Sequence, residues 1–179
     1  MLLEFQKELA EEVRKITSNM LFMDKKGNKT TLNVFEQVLP LKKAVVGMEE
    51  EEFNEDALPV EEQIMPSEET EPFPYCIVRI NDGEQKDPWS PQYVYVDIII
   101  GIYDEDNTVA YQGVVNVIQA FMERFYKNPS LAGRYRMKDK DEKNETQWAI
   151  EEGTTLNYFF GGIASTWQLP AFRVEDDLT

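Results

Sequence analysis

Of the side chains that commonly do chemistry, this chain carries 34 carboxylates, one thiol and no imidazole. The missing histidine removes the commonest general acid and base, and the commonest metal ligand with it. Cys76 has no imidazole to activate it as a nucleophile, and the alternation of PYCIVRIN predicts that it is buried as a small hydrophobe. A single cysteine also rules out an intrachain disulfide and fits a reducing compartment. Gly161-Gly162 lies inside a strand-like run with no Lys-Ser or Lys-Thr after it, so it is not a phosphate loop. These absences predict no catalytic, cofactor-binding or metal-binding residues, and a protein that is not an enzyme.

The carboxylates occur mainly in runs, which usually form solvated faces. Residues 49–72 hold eleven acids and no Lys or Arg, with Pro59, Pro66 and Pro72, and read as an acidic loop insertion. No EF-hand spacing of oxygens around a glycine occurs within it. Asp104-Glu105-Asp106-Asn107 precedes a helix-like run, where carboxylates cap free amides and favour the positive end of the dipole. Asp97 is the one acid set mid-strand among apolar neighbours. It reads either as a general base or as a residue on the strand's solvent or interface side, and the second is the commoner case.

The formal charge of −16 argues against binding duplex nucleic acid or an anionic membrane surface. No apolar run approaches the roughly 20 residues of a membrane helix. Charged residues from Glu4 to Glu12 interrupt any signal-peptide core. The expectation is one acidic, cytosolic-type domain over residues 1–179, carrying the insertion at about 49–72.

The strongest pattern runs from Tyr93 to Asn128. Val94, Val96, Ile98, Ile100 and Ile102 alternate along a strand, and the period then lengthens to that of a helix. Tyr111, Val114, Val115, Ile118, Phe121, Met122 and Phe125 are expected on its apolar side. Leu2 to Met23 predicts a second helix through Leu2, Phe5, Leu9, Val13, Ile16, Met20 and Met23. Further strands are expected at Thr30–Leu39, Pro74–Asn81, Arg134–Lys138, Thr146–Glu151 and Asn157–Leu169, with a loop over Asp82–Gln92. Gly161-Gly162 marks a bulge or a close backbone approach. The order predicts an α+β fold: a mostly antiparallel sheet of about five strands, with two main helices on one face.

The outer face of the long strand is unusually apolar. Tyr93, Tyr95, Ile99 and Tyr103 read either as an oligomer interface or as a second core layer under the insertion. A competing view is a small ligand-binding or regulatory domain whose pocket is lined by Trp148 and Trp167.

VDIIIGIYDEDN followed by YQGVVNVIQAFMERFYKNP resembles the central block of phage tail-terminator proteins, also called tail completion or minor tail proteins. WAIEEGTTLNYFFGGIASTWQLP resembles the end of the same family, and PFPYCIVRINDGEQ fits the strand and loop upstream. The likeness covers roughly residues 73–170 and does not extend to the acidic insertion. It implies a structural virion part from a phage or prophage, assembled in the host bacterial cytoplasm. The implied part is a ring homo-oligomer, commonly a hexamer, that caps the tail tube and joins it to the head. Its implied partners are itself, the tail tube protein and a head-completion or connector protein. A related head–tail connector would look similar. Phage DNA would pass through the acidic ring without specific binding.

Overall fold

The computed structural model describes residues 1–40, 72–106, 110–138, 146–151 and 157–172. The acidic stretch at 49–72 falls almost wholly outside these residues. The elements are α1 (Leu2–Thr17), β1 (Phe22–Met23), β2 (Lys29–Thr30), β3 (Asn33–Glu36), β4 (Tyr75–Glu84) and β5 (Gln92–Tyr103). They continue with α2 (Ala110–Lys127), β6 (Ser130–Leu131), β7 (Tyr135–Met137), β8 (Gln147–Ile150) and β9 (Tyr158–Leu169).

Among the described residues these form two helices, a small β1–β2 hairpin and one seven-stranded mixed sheet. The strand order is β3-β4-β5-β9-β7-β6, with β8 also paired to β9. The expected sheet of about five strands is corrected to seven, and its mostly antiparallel pairing includes one parallel pair. β7 and β8, both among the expected strands, pair with β9, and β6 adds an unexpected strand beside β7. The sheet is mixed because β3 runs parallel to β4, with Val34 beside Cys76 and Glu36 beside Val78. Parallel neighbours need a crossover connection rather than a hairpin, and the chain between Glu36 and Tyr75 supplies that length.

β5 sits between β4 and β9, antiparallel to both. Its even-numbered residues from Val94 to Ile102 are nearly or fully buried beneath the helices, as the alternation predicted. α1 packs on β3 and β4, and α2 on β5, β9 and β8. Removing apolar area at about 25 cal/mol per Å² is the main force holding this layer together.

The helical faces are rotated slightly from expectation. In α2 the buried set is Val114, Val117, Ile118, Phe121 and Phe125, whereas Tyr111 is exposed and Val115 and Met122 lie at the margin. A broad apolar face cannot be oriented by periodicity alone, and packing against β9 picks the side. α1 buries Phe5, Leu9 and Val13, together with Gln6 and Thr17, and stops at Thr17 rather than Met23. Beyond it Phe22 and Met23 pair with Thr30 and Lys29 in the hairpin. Asp24 secures this turn by accepting the Lys26 and Asn28 amides at 2.8 Å each, and those bonds lower its pKa.

Two irregularities differ from the sequence reading. β4 continues to Glu84, and its bulge lies between Ile80 and Asp82 instead of at Gly161-Gly162. β9 passes through both glycines in unbroken register, with Gly161 opposite Ile100 and Gly162 opposite Ile99. The close-approach alternative holds at Gly161, where an added Cβ would collide with Val114 Cγ1 and lie 3.0 Å from the Ala149 carbonyl. α2 can rest this near β9 only over a residue without a side chain.

Arg124 ties the helices to each other. Its Nε donates to Glu12 Oε1 of α1, and its terminal nitrogens donate to Asn128 O and Ser130 O. Both side chains are largely buried, at 26% and 14% exposed.

Gly161→Ala should lower unfolding free energy by about 2 kcal/mol through overpacking. In urea titrations, adding Val114→Ala should recover a substantial part of that loss. Strict additivity of the two single losses would refute the contact. Arg124→Ala should cost about 2 kcal/mol, because it leaves Glu12 and two carbonyls underpaired. A change within about 0.5 kcal/mol would show the pair to be no more than a surface ion pair.

Candidate functional site

The helix-covered side of the sheet is filled, so a site must lie on the outer side or at its margins. The pleat of β5 sends Tyr93, Tyr95, Asp97, Ile99 and Tyr103 outward. All four residues expected at an interface are half-buried on this face. They are not one continuous patch. Tyr95 donates from its hydroxyl to Glu84 Oε1 at 3.3 Å, and the Lys138 ammonium stands 5.6 Å from the Tyr93 ring centroid. Burial and the Glu84 charge push the Tyr95 phenol above its usual pKa, because both disfavour the phenolate.

At the far end of β5, Tyr103 joins an aromatic group that the sequence reading did not assemble. Tyr103 meets Tyr158 edge-on at 5.3 Å, and Phe73 contacts Tyr75, Tyr158 and Phe160 at 4.9, 5.1 and 6.0 Å. Lys25 of the hairpin sits over the Tyr103 and Tyr158 rings. Gly101 makes the group possible, since a Cβ there would collide with the Tyr75 ring. Tyr75, Tyr103, Tyr158 and Phe160 come from β4, β5 and β9 and are brought together by strand register, Tyr75 opposite Gly101 and Tyr103 opposite Tyr158, while Phe73 lies just before β4. The only sequence trace was the aromatic density of YFF and PFPY at the strand ends.

Asp97 lies between these two aromatic regions. Its carboxylate accepts a short hydrogen bond from Asn81 Nδ2 and faces Arg79 at 3.9 Å, while Arg79 Nε donates to Asn81 Oδ1 at 2.9 Å. With Asp97 and Arg79 31% and 46% exposed, this is the environment of a surface ion pair on the outer face. Beside it runs a shallow depression of about 280 Å³ floored by Gly162, Ala164 and Ala149, with Ile99 and Trp148 among its walls.

The two tryptophans assigned to a shared pocket are separated. Trp167 is fully buried, whereas Trp148 is 58% exposed. Trp148 borders the outer depression and a second, apolar one of about 290 Å³ against Val115, Ile118 and Met122 of α2. A third cavity, of about 350 Å³, lies between the hairpin, the end of β5 and the start of α2.

Cys76 is fully buried on the helix side of β4, as predicted, and burial pushes its thiol up to about 12. Among the described residues no three Cys, Asp or Glu side chains converge as a metal site. No described helix is long and apolar enough to cross a membrane. No protein-family model matches the chain, and no curated protein matches it in sequence.

Because the folded thiol is raised from 9.0 to about 12, its stabilising contribution is full below pH 9 and is lost as pH rises toward 12. At pH 8 only about one molecule in 10,000 would carry the native thiolate. Labelling by a disulfide reagent should therefore proceed at the rate of unfolding and be flat in reagent concentration. Rapid native labelling, first order in reagent, would place Cys76 at the surface.

Proposed function

We propose that this chain is a structural subunit of a phage or prophage tail, a terminator that caps the tail tube as a ring and joins tail to head. The observation that carries the reading is the outer face of β5. Tyr93, Tyr95, Ile99 and Tyr103 stand half-exposed there, on a strand whose other face is completely used by the core. Aromatic and aliphatic surface on a rigid central strand is the composition that protein interfaces favour. A closed ring requires a head-to-tail contact between two different surfaces of each subunit, and this face supplies one of them.

The resemblance of residues 73–170 to tail-terminator proteins supports the same reading and makes a hexamer the expected ring. The partners are then further copies of the chain, the tail tube protein and a head-completion protein. The charge of −16 suits a ring through which DNA slides without sticking, because like charges repel along the passage. A head–tail connector would use the same face, and the identity of the bound partner separates the two roles. The alternative of a ligand pocket lined by Trp148 and Trp167 loses its geometry, since one residue is core and the other surface.

Ile99→Asp combined with Tyr95→Ala should abolish ring-sized species in light scattering, taken alone and with purified tail tube protein. Loss of two central anchors should weaken self-association about 30-fold or more. Circular dichroism and melting temperature should stay close to the parent, because neither side chain lies in the helix-covered core. A parent chain that remains monomeric at high concentration and in the presence of tube protein would sink the ring assignment.

A further inference from the structure

We propose that Asp82 is a self-modification site, whose side chain closes on the Gly83 nitrogen to a succinimide that water reopens to an iso-aspartyl linkage. Asp82-Gly83 is the one Asp-Gly step in the chain, and Asn-Gly does not occur. At such a step no Cβ on the second residue obstructs the approach to its nitrogen. Asp82, Gly83 and Glu84 are all exposed at the end of β4, so water reaches the site.

The fold holds the two groups together. Gly83 N–H donates to Asp82 Oδ1 at 2.7 Å, which keeps the carboxyl group beside the nitrogen that attacks it. By contrast, Asp24, Asp87 and Asp104 accept main-chain amides two or more residues ahead, and Asp97 is bonded to Asn81 Nδ2. The ladder from β4 to β5 shifts between Ile80 and Asp82, and a bulge loosens the local backbone from regular pairing. The other edge of β4 gives little cover. β3 ends at Glu36, opposite Val78, and the Gln37 carboxamide pairs with Ile80 O and N at 3.0 and 3.1 Å just beyond. Among the described residues no strand lies beside Gly83 on that edge.

In the first step the Gly83 amide nitrogen gives its proton to solvent as its electron pair bonds to Cγ of the neutral Asp82 carboxyl, and one carboxyl oxygen leaves as water. Hydrolysis then breaks one of two bonds to that nitrogen. Cleaving the new bond to Cγ restores aspartate, whereas cleaving the original main-chain bond leaves the chain running through Cβ and Cγ. The net change is an isomerisation that needs only water. It lengthens the backbone by one carbon where Asp82 faces Tyr95, Gly83 faces Val94 and Glu84 faces Tyr93. Glu84 is thereby pushed out of register and away from the Tyr95 hydroxyl, which it accepts at 3.3 Å in the native strand. The inference is independent of the tail reading; where that reading holds, conversion ages the face that carries Tyr93 and Tyr95.

The test incubates the folded full chain in mildly acidic buffer beside a synthetic peptide of residues 79–86, whose conversion sets the intrinsic rate. Electron-transfer fragmentation in a mass spectrometer then tells the two linkages apart at equal mass. The folded chain should gain the iso-aspartyl form at Asp82 before any other aspartate. It should keep pace with the peptide to within about tenfold, because the site is exposed and off the regular ladder. A slower rate would mean that the strand shields the step and would overturn the proposal, as would conversion that begins at another aspartate. Asp82→Glu must close a six-membered ring, so it should convert about tenfold more slowly or less. Asp82 is exposed, so that variant should fold as the parent does, and equal conversion by it would also overturn the proposal.

Discussion

The structure depends on the burial of one indole. Trp167 lies on β9 beneath both helices, with its ring centroid 5.4 Å from Phe5 of α1 and 4.9 Å from Phe125 of α2. Its Nε1–H would be a costly orphan in that position, but it donates to Ser165 Oγ at 3.0 Å. Ser165 lies two residues earlier on the same face of the strand, and its hydroxyl donates to Val96 O at 3.4 Å. The large apolar body joins helices to sheet, while the polar edge joins β9 to β5. Arg124 then closes the helix pair from outside, and Gly161 lets α2 settle against the strand.

This packing makes the sheet asymmetric. The helix side of β5 consists of branched aliphatic residues that no water reaches, and its outer side alternates tyrosines, Ile99 and an ion-paired Asp97. Such a strand is stiff because one face is fully committed, so residues on the other are presented with little conformational entropy left to lose. That is a useful property in an interface, and it links the core of the monomer to the proposed ring. The Arg79–Asn81–Asp97 group on this face would set register between subunits more than it would add affinity, as partly exposed charges generally do.

The hairpin has a different relation to the core. It leaves α1 early, inserts only Phe22 into the cluster and stands over the end of β5. Its short turn is held by Asp24 and the backbone amides around Gly27. The cavity beneath it exists because α2 sits low at Gly113 while the hairpin residues do not fill the space. The apolar walls come from the hairpin and β5, and a polar wall from Gln112 and Asn116 of α2.

Much of this was legible in the chain itself. Strict alternation from Val94 to Ile102 determined the strand and its buried face, because side-chain direction in a strand is a local property. The same holds for Cys76 and Val78 on β4, and for Ile163, Trp167 and Leu169 on β9. The existence of both helices followed from their periodicity, and the burial of Cys76 from its apolar neighbours. What depends on distant partners was not legible. The rotation of α2 toward Val117 rather than Tyr111, the parallel pairing of β3 with β4 and the union of Phe73, Tyr75, Tyr103, Tyr158 and Phe160 all rest on contacts remote in sequence. So does the separation of Trp148 from Trp167, two residues of similar sequence character that burial places in the core and at the surface. Local stereochemistry writes its pattern into neighbouring residues, whereas register, crossover and close approach arise only when the chain meets itself.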